Sequence, residues 1–315
     1  MKYSDLPILS IVGPTASGKS DLAISAALAL GGEVVSADSM QIYRGMDIGT
    51  AKVSPSERRV PHHLIDIIDP GQAYSAQLFQ RDARAIFEQL YVHGKPSVLC
   101  GGTGFYVQAA LDHMDFPKGD QLDNPIRDKW QAFADEFGAN ALWAKLESLD
   151  EHSAKCVHPN NVRRVIRALE MHEQGVSYAD QVHKLKLVEP EFASVRFGLS
   201  VDRDLLVELI DRRVDLMFER GLVDEVSSLL DQGFEKALTA PQAIGYKEVV
   251  AALRGAYSLD TARDEIKVAT RRYAKRQRSW FKRDKSLIWL DANDRSTDSL
   301  AEELLAIYDS KRKEH

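Results

Sequence analysis

The stretch Ile8–Leu30 reads ILSIVGPTASGKSDLAISAALAL, and it decides the fold. Its first residues form an apolar run that predicts a buried strand, and residues 19–30 have the spacing and composition of a helix. Between them lies GxxxxGKS at 13–20, the pattern of a phosphate-binding loop. A strand, a glycine-rich loop and a helix in this order predict the start of a parallel α/β sheet.

The loop has the chemistry to hold an anion. Successive backbone N–H groups would surround the phosphates, and the helix N-terminus would add its dipole. Lys19 adds positive charge, and the Ser20 hydroxyl can hold Mg²⁺. The predicted phosphate-binding residues are Gly13, Pro14, Thr15, Ala16, Ser17, Gly18, Lys19 and Ser20.

The next segments continue the alternation of strands and helices. GEVVSADS (32–39) and KPSVLCGGTG (95–104) read as buried strands, with a helix predicted over 75–94 between them. We therefore predict a P-loop-containing open parallel sheet flanked by helices. Over 117–194 only helical stretches occur, which predicts an all-helical insertion domain. The predicted catalytic core comprises 1–116 and 195–315, and its C-terminal part carries a basic helix.

The composition of the 315 residues is that of an ordinary globular protein, 44% hydrophobic and 28% charged. We expect no signal peptide and no membrane span, because no apolar run approaches the required length. Cys100 and Cys156 are too few and too far apart for a disulfide framework or a zinc site, so a cytoplasmic protein is expected. The net charge of −6 does not by itself favour a nucleic-acid partner.

Locally the charge is reversed. Residues 263–285 contain ten Lys or Arg and three Asp or Glu, a net charge of +7. Arg271, Lys275 and Arg278 recur at helical spacing within it, and Arg163, Arg164 and Arg167 form a second cluster. Such a stripe is often only a solvated face, but this concentration of charge with interleaved aromatics favours a nucleic-acid backbone.

Three further motifs are ambiguous when considered alone. Asp38 follows the second strand, where it either caps a turn or faces a ligand; the neighbouring phosphate loop favours the second interpretation. Thr103, in GGTGFY, lies in a tight turn or at the rim of the same site. Adjacent histidines point apart on a strand, so they do not form a ready pair of metal ligands. We therefore interpret His62 and His63 as structural or rim residues.

Seven stretches, taken in order and spacing, resemble the tRNA dimethylallyltransferase (tRNA isopentenyltransferase) family. They are GPTASGKS, DSMQIYRGMDIGTAK, HHLIDI, GGTGFY, RRVIRALE, IGYKE and YAKRQRSWF. The resemblance runs from about Pro7 to Leu290. The second and last stretches are not general features of P-loop proteins, so the resemblance is specific.

The resemblance implies an activity. The loop would hold the pyrophosphate of dimethylallyl diphosphate with Mg²⁺, and the prenyl group would go to N6 of adenosine 37 in the tRNA anticodon stem-loop. Asp38 would be the base at N6, Thr103 would stand at the reacting centre, and Arg213 would bind pyrophosphate. A monomer is expected.

The resemblance also implies which residues face tRNA. They are Asp38, Ser39, Met40, Gln41, Gly104, Arg127, Arg163, Arg164, Val165, Ile166, Arg167, Gln242, Ala243, Ile244, Gly245, Tyr246 and Lys247, to which the basic stripe adds Arg271, Lys275 and Arg278.

Three alternatives remain open at this point. An adenylate isopentenyltransferase would perform the same chemistry on a free nucleotide, but it would need neither the insertion nor the basic helix. A P-loop small-molecule kinase would use the loop for ATP. A non-catalytic tRNA-binding protein would leave the phosphate loop unexplained.

Overall fold

A parallel β-sheet lies at the centre of the computed structural model, which describes residues 1–117, 124–185, 189–236 and 239–313. In those ranges the strands are β1 (Ile8–Val12), β2 (Glu33–Ser36), β3 (His62–His63), β4 (Ser97–Gly101), β5 (Ser194–Ser200) and β6 (Ile288–Asp291). Their order is β3-β2-β4-β1-β5-β6, and all neighbours are parallel. The predicted open parallel sheet is confirmed.

The register brings the carboxyl ends of the central strands together. Val12 at the end of β1 is paired with Gly101 of β4, and Ser36 of β2 is paired with Cys100. Every residue of β1, β2 and β4 is buried, as expected for strands of a parallel sheet that is covered on both faces. The loops that follow these three strands therefore meet at one edge of the sheet, where open α/β sheets bind ligands.

Helices cover both faces of this sheet. Those of the same unit are α1 (Lys19–Leu30), α2 (Ala76–Val92), α3 (Gly104–Leu111), α8 (Arg203–Glu219), α9 (Leu222–Asp231), α10 (Tyr246–Leu253), α11 (Leu259–Phe281) and α12 (Thr297–Arg312). Leu22 of α1 and Leu304 of α12 pack into one core with the sheet. The other helices bury apolar side chains in a second core, which includes Phe79, Ile210 and Ile266.

The chain divides into two units. The sheet belongs to Met1–Leu111 with Pro190–His315, and the second unit is Asp112–Glu189. The second unit contains α4 (Pro125–Leu149), α5 (Glu151–Lys155), α6 (Val162–Glu173) and α7 (Tyr178–Lys184). It has its own core, in which Trp130, Leu142 and Leu169 are buried. The sequence-based boundaries, 117 and 194, lie a few residues beyond these.

Two local features differ from the sequence-based expectations. His62 and His63 form the edge strand β3, which pairs with Val34 and Val35 of β2. Two residues are too few to show a periodicity, so this strand was not predicted. The sequence PQAIGYKEVVAALRG (241–255) also has a helical pattern, but the helix begins only at Tyr246, because Gly245 has φ 98°.

No helix within the described ranges combines the length and the apolar character that crossing a membrane requires.

Candidate active site

A cleft lies at the carboxyl edge of the sheet. Among its lining residues are Thr15, Lys19, Ser20, Ser36, Asp38, Gln41, His62, Cys100, Gly101, Arg213, Tyr273 and Gln277. The structure thus brings the predicted phosphate loop, Asp38 and Arg213 to one site. Tyr273 and Gln277, both from helix α11, were not predicted as site residues.

The phosphate loop has the backbone that anion binding requires. Ala16 and Gly18 have φ values of 63° and 82°, and these turn successive N–H groups toward one centre. Helix α1 begins directly afterwards, at Lys19. The Lys19 ammonium folds back over the loop and donates to the Pro14 carbonyl at 3.2 Å, and the Ser17 hydroxyl donates to the same oxygen at 2.8 Å. The conformation of the loop is therefore stabilised by its own side chains.

Two half-buried cations, Lys19 and Arg213, lie beside the loop, and neither forms an ion pair with a carboxylate in the described ranges. Burial lowers the pKa of Lys19, and the nearby Arg213 guanidinium lowers it further, while Cys100 and Asp38 act in the opposite direction. Burial also lowers the pKa of Arg213, against the effect of the carboxylates of Asp38 and Asp21. Confined positive charge of this kind favours binding of a polyanion.

Asp38 combines both roles that its sequence position suggested. Its Oδ1 accepts hydrogen bonds from the backbone N–H of Met40 at 2.9 Å and of Gln41 at 3.4 Å, so it caps the turn after β2. Within the described ranges no hydrogen bond to Oδ2 is found. One oxygen therefore holds the turn, while the other can take part in chemistry at the cleft.

Thr103 is linked to the same turn. Its Oγ1 accepts from the Ser39 N–H at 3.1 Å, and its own N–H donates to the Ala37 carbonyl at 3.2 Å. Tyr273 faces both Asp38 and Thr103: burial and the Asp38 carboxylate raise the pKa of Tyr273 to about 12, and hydrogen bonds with Thr103 and Gln277 oppose the rise. The phenol therefore keeps its proton at neutral pH and can serve as a donor at the site.

Gln277 connects the two loops of the site. Its Oε1 accepts from the Thr15 N–H at 2.9 Å, and its Nε2 donates to the Gly102 carbonyl at 2.9 Å. It is 5% exposed, so few alternative partners are available. Gly102 has no room for a side chain, because a Cβ there would clash with Nε2 of Gln277. Helix α11 thereby fixes the phosphate loop relative to the Gly102–Gly104 turn.

The long motif 38–52 is held by polar contacts that are half-buried or exposed. The carboxylate of Glu225, on α9, accepts from the N–H groups of residues 47, 48 and 49 at 3.0, 2.7 and 3.1 Å, and from the Tyr246 hydroxyl at 2.6 Å. Lys52 donates to Asp47 at 2.7 Å and to Asp66 at 2.5 Å. Glu225 was not predicted as a site residue, because no motif around it in the sequence indicates that its carboxylate binds backbone groups of a distant loop.

Some of the predicted tRNA-facing residues have structural tasks in the second unit. Arg127 and Arg167 both donate to Glu170, at 2.8 and 2.6 Å. Burial alone would raise the pKa of Glu170, but the two guanidiniums hold it below its usual range. Arg163 and Arg164 are exposed. The prediction is corrected at Val165 and Ile166, whose side chains are buried in the core of this unit because a helix turns them inward.

The stretch 242–247 needs a similar correction. Gln242 and Lys247 are exposed, and Ile244 is half-buried. Ala243, Gly245 and Tyr246 are buried, so these residues are not available at the surface. Tyr246 instead packs against Gly49, where any Cβ would clash with its ring. Of this segment, the two exposed polar residues remain the best candidates for contact with RNA.

In the basic stripe of α11, the cations differ in their partners. Arg271 forms a two-pronged ion pair with Asp211 of α8, with Nε 3.0 Å from Oδ1. Lys275 is exposed and Arg278 is half-buried, and neither has a carboxylate partner in the described part of the chain. Gly104, predicted to face tRNA, lies directly beneath the indole of Trp280.

Comparison with known proteins identifies the family. The family model for IPP transferase matches residues 41–284, and a model for isopentenyl transferase matches residues 6–62. The chain belongs to the IPP transferase family. It is therefore an enzyme of the prenyltransferase class.

Curated relatives extend over nearly the whole chain. A tRNA dimethylallyltransferase of Carboxydothermus hydrogenoformans is 44% identical over 300 residues, 95% of this chain and 96% of the relative. A tRNA dimethylallyltransferase of Rhodococcus jostii is 44% identical over 293 residues, 92% and 93% of the two chains.

Solved structures agree with this. The full-length tRNA isopentenylpyrophosphate transferase of Bacillus halodurans is 41% identical, with a TM-score of 0.72 and coverage of 98% of this chain and 97% of that one. A eukaryotic dimethylallyltransferase acting on tRNA is 28% identical, with a TM-score of 0.76 and coverage of 92% and 74%. Family membership thus favours a prenyltransferase over the small-molecule kinase that the phosphate loop alone would allow.

Proposed function

We propose that the protein transfers a dimethylallyl group from dimethylallyl diphosphate to N6 of adenosine 37 in the tRNA anticodon loop and releases pyrophosphate. The observation that carries the proposal is the position of Asp38, whose second carboxylate oxygen is available in the cleft that also holds Lys19 and Arg213. A base and a pyrophosphate site within one cleft are what such a transfer needs. The names of the relatives support the same substrates.

Asp38 would act on the nucleophile. The N6 lone pair is delocalised into the adenine ring, so the amine attacks poorly without help. A carboxylate that accepts a hydrogen bond from N6–H raises the electron density on nitrogen and takes the proton as the N–C bond forms. The Asp38 carboxylate gains that proton, while the electron pair of the broken C–O bond leaves with pyrophosphate.

The loop would act on the leaving group. Negative charge gathers on the bridging oxygen as the allylic C–O bond breaks, and Lys19, Arg213 and the loop N–H groups stabilise it. Since both cations already line the cleft before the anion arrives, they need little rearrangement. Thr103 and Tyr273 would place hydroxyl groups next to the reacting centre.

Mg²⁺ is proposed as the metal, and the residues present fit it. The Ser20 hydroxyl lines the cleft and offers an oxygen donor, the kind of ligand that Mg²⁺ prefers. Within the described ranges, no group of three His, Cys, Asp or Glu could hold a metal alone. This is the usual arrangement for Mg²⁺, which is held by one or two protein groups and by substrate phosphates. When bound, it would neutralise charge on the departing pyrophosphate.

The RNA would be held by exposed cations. Adenosine 37 is stacked in the anticodon loop and must be turned out to reach a cleft. Among the cations predicted to face tRNA, four have no carboxylate partner within the described residues: Arg163, Arg164, Lys275 and Arg278. Lys247 is exposed and makes a 3.4 Å contact with Glu248. We also infer a monomer that works in the cytoplasm, which sedimentation and fractionation would test.

A single incubation tests the proposal. The purified protein is mixed with dimethylallyl diphosphate, Mg²⁺ and unmodified tRNA, and the digested RNA is searched by mass spectrometry for prenylated adenosine. Parallel reactions replace the tRNA by AMP, or by tRNA with guanosine at position 37. Prenylated AMP would favour the adenylate enzyme instead. Phosphoryl transfer from ATP, without prenylated tRNA, would overturn the proposal in favour of a kinase.

A further inference from the structure

Helix α11 presents an aromatic residue to solvent between two cations. Trp280 is 39% exposed; Arg276 lies one helical turn before it on α11, and Arg283, whose N–H donates to the Trp280 carbonyl at 3.1 Å, follows in the turn just beyond the end of the helix. Both arginines are exposed, and neither forms an ion pair with a carboxylate in the described ranges. The Arg276 guanidinium lies over the ring of Tyr273, 5.6 Å from its centroid. We call Phe105, Arg276, Trp280 and Arg283 the Trp280 platform.

The indole is supported from below. Trp280 lies directly on the backbone of Gly104, so closely that a Cβ at this position would clash with Cδ1 of the indole. The ring of Phe105 meets it edge-on, at 6.3 Å between centroids and 86° between planes. Glycine is therefore needed at 104 to seat the indole, and the exposed surface of Trp280 is held in place rather than left to move freely.

The platform lies next to the reacting centre. Gly104 follows Thr103 in the chain, and Trp280 is three residues after Gln277, which binds the Gly102 carbonyl. A ligand that covers Trp280 would thus touch the same turn that carries Thr103. The neighbouring nucleotides of a loop whose adenosine occupies the cleft would lie within reach.

The chemistry of the platform matches an unpaired nucleotide. A base stacks on an exposed aromatic ring, while its phosphates contact guanidinium groups on either side. An apolar partner that excludes water would bury two guanidinium groups without counter-ions, and removing these charges from water costs free energy. We propose that the Trp280 platform binds an unpaired nucleotide of the RNA loop adjacent to the reacting adenosine, by stacking its base on Trp280. This rests on the proposed function.

The first test separates stacking from charge. Affinity for an unmodified anticodon stem-loop RNA is measured at several salt concentrations for Trp280→Leu and Trp280→Phe. We expect Leu to weaken binding by about 5- to 150-fold, the range for one base stacked on an aromatic side chain, with an unchanged salt slope. Phe should stay within a few-fold of wild type. Arg276→Ala or Arg283→Ala should instead reduce the slope by about 0.7 to 0.9.

A matched control is available in Trp289. It is 40% exposed, nearly the same as Trp280, but lies on strand β6. Trp289→Leu should leave RNA affinity unchanged. Pyrophosphate affinity and thermal melting of each variant show whether the Gly102–Gly104 turn has been disturbed. If Trp280→Leu melts normally and binds the stem-loop as wild type does, the proposal is overturned.

A second test uses the wild-type protein, so it does not depend on how a variant folds. 5-Iodouridine is placed at each loop position in turn, and after irradiation the adducts are mapped by mass spectrometry. Crosslinks from one position to Trp280 or Phe105 are expected; efficient crosslinks to other residues alone would contradict the proposal. Failure of wild type to prenylate tRNA would instead count against the proposed function, so the two failures are distinguishable.

Discussion

Asp38 shows how a single carboxylate can have a structural and a chemical task. Its Oδ1 holds the N–H groups of Met40 and Gln41, which fixes the carboxylate without using Oδ2. A side chain that is held at one oxygen loses little freedom when its other oxygen meets a substrate. The turn after β2 thus supports the carboxylate that we propose as the base.

Replacing Asp38 by Asn should separate the two tasks. The amide oxygen can still accept from Met40 and Gln41, so the turn should be retained. The amide cannot accept a proton, so single-turnover transfer should slow by about 10² to 10⁴. Binding of pyrophosphate and tRNA, measured separately, should remain near normal. A single-turnover rate within a few-fold of wild type would remove Asp38 from the mechanism.

Lys19 should make pyrophosphate binding sensitive to pH. Burial lowers the pKa of its ammonium in the free protein. A bound anion favours the charged form, so binding raises this pKa again. Affinity should therefore be full at low pH and decline as pH rises through the lowered pKa, before an ordinary lysine would titrate.

Calorimetric titration with pyrophosphate over a range of pH measures this dependence. The variant Lys19→Met binds more weakly and supplies the reference, because the ligand's own protonation affects both proteins equally. The ratio of the two affinities should shrink as pH rises. A constant ratio would show that Lys19 keeps its charge throughout.

At the scale of elements, helix α11 organises the site from one face. Tyr273, Gln277 and Trp280 are spaced four and three residues apart, which places them in one row. They reach Thr103, Gly102 and Gly104 respectively. The helix that the charge pattern marked as an RNA surface is therefore also part of the wall of the cleft.

Gln277→Met should weaken the attachment of helix α11 to the phosphate loop and to the Gly102–Gly104 turn. Methionine has a similar length but can neither accept from Thr15 nor donate to Gly102, so two polar groups lose their partner. We expect a stability loss of about 1 to 3 kcal/mol in chemical denaturation, and weaker pyrophosphate binding. Gln277→Glu keeps the acceptor for Thr15 but adds negative charge beside the loop. The Glu variant should bind pyrophosphate more weakly than the Met variant. The opposite order would mean that the hydrogen bond to Thr15 has a larger effect than the added charge.

Elements with strong local signals were predictable from the sequence. Helix α1 lies where the pattern predicts it, because Gly18 and Gly31 supply the left-handed conformations at its two ends. Strands β1, β2 and β4 lie within the stretches that were predicted as buried strands. Gln277 and Glu225 could not be found in this way: each acts on backbone groups far away in the chain, and a lone amide or carboxylate on a helix leaves no pattern.

At the scale of the whole molecule, charge is divided unevenly. The chain carries −6 overall, while 263–285 carries +7. Part of this local charge is neutralised within the protein, since Arg271 pairs with Asp211 and Lys267 with Asp215. Counting cations in the sequence therefore overestimates those available to RNA. The sequence also does not show which side chains are buried. Those of Val165, Ile166, Ala243 and Tyr246 are buried, so they do not contribute to a surface for tRNA.

Salt dependence of tRNA binding should reveal which cations are free. The double change Lys275→Ala with Arg278→Ala should reduce the slope of log affinity against log salt by about 0.7 to 0.9 for each phosphate that is no longer neutralised. Arg271→Ala should change the slope less and lower stability by about 1 kcal/mol or less, because its half-exposed ion pair with Asp211 is broken. An equal effect of Arg271→Ala on the slope would show that Arg271 leaves Asp211 for RNA.

The row Tyr273, Gln277 and Trp280 makes the length of α11 as important as its composition. Each residue added to a helix rotates everything beyond it by about 100°. One alanine inserted after Gln277 would turn Trp280 away from Gly104, although no residue of the row had been replaced. The same insertion between β6 and α12, in the turn near Asp294, would shift only a surface loop. Natural variation in chain length should therefore avoid 273–280 and collect in loops such as this one.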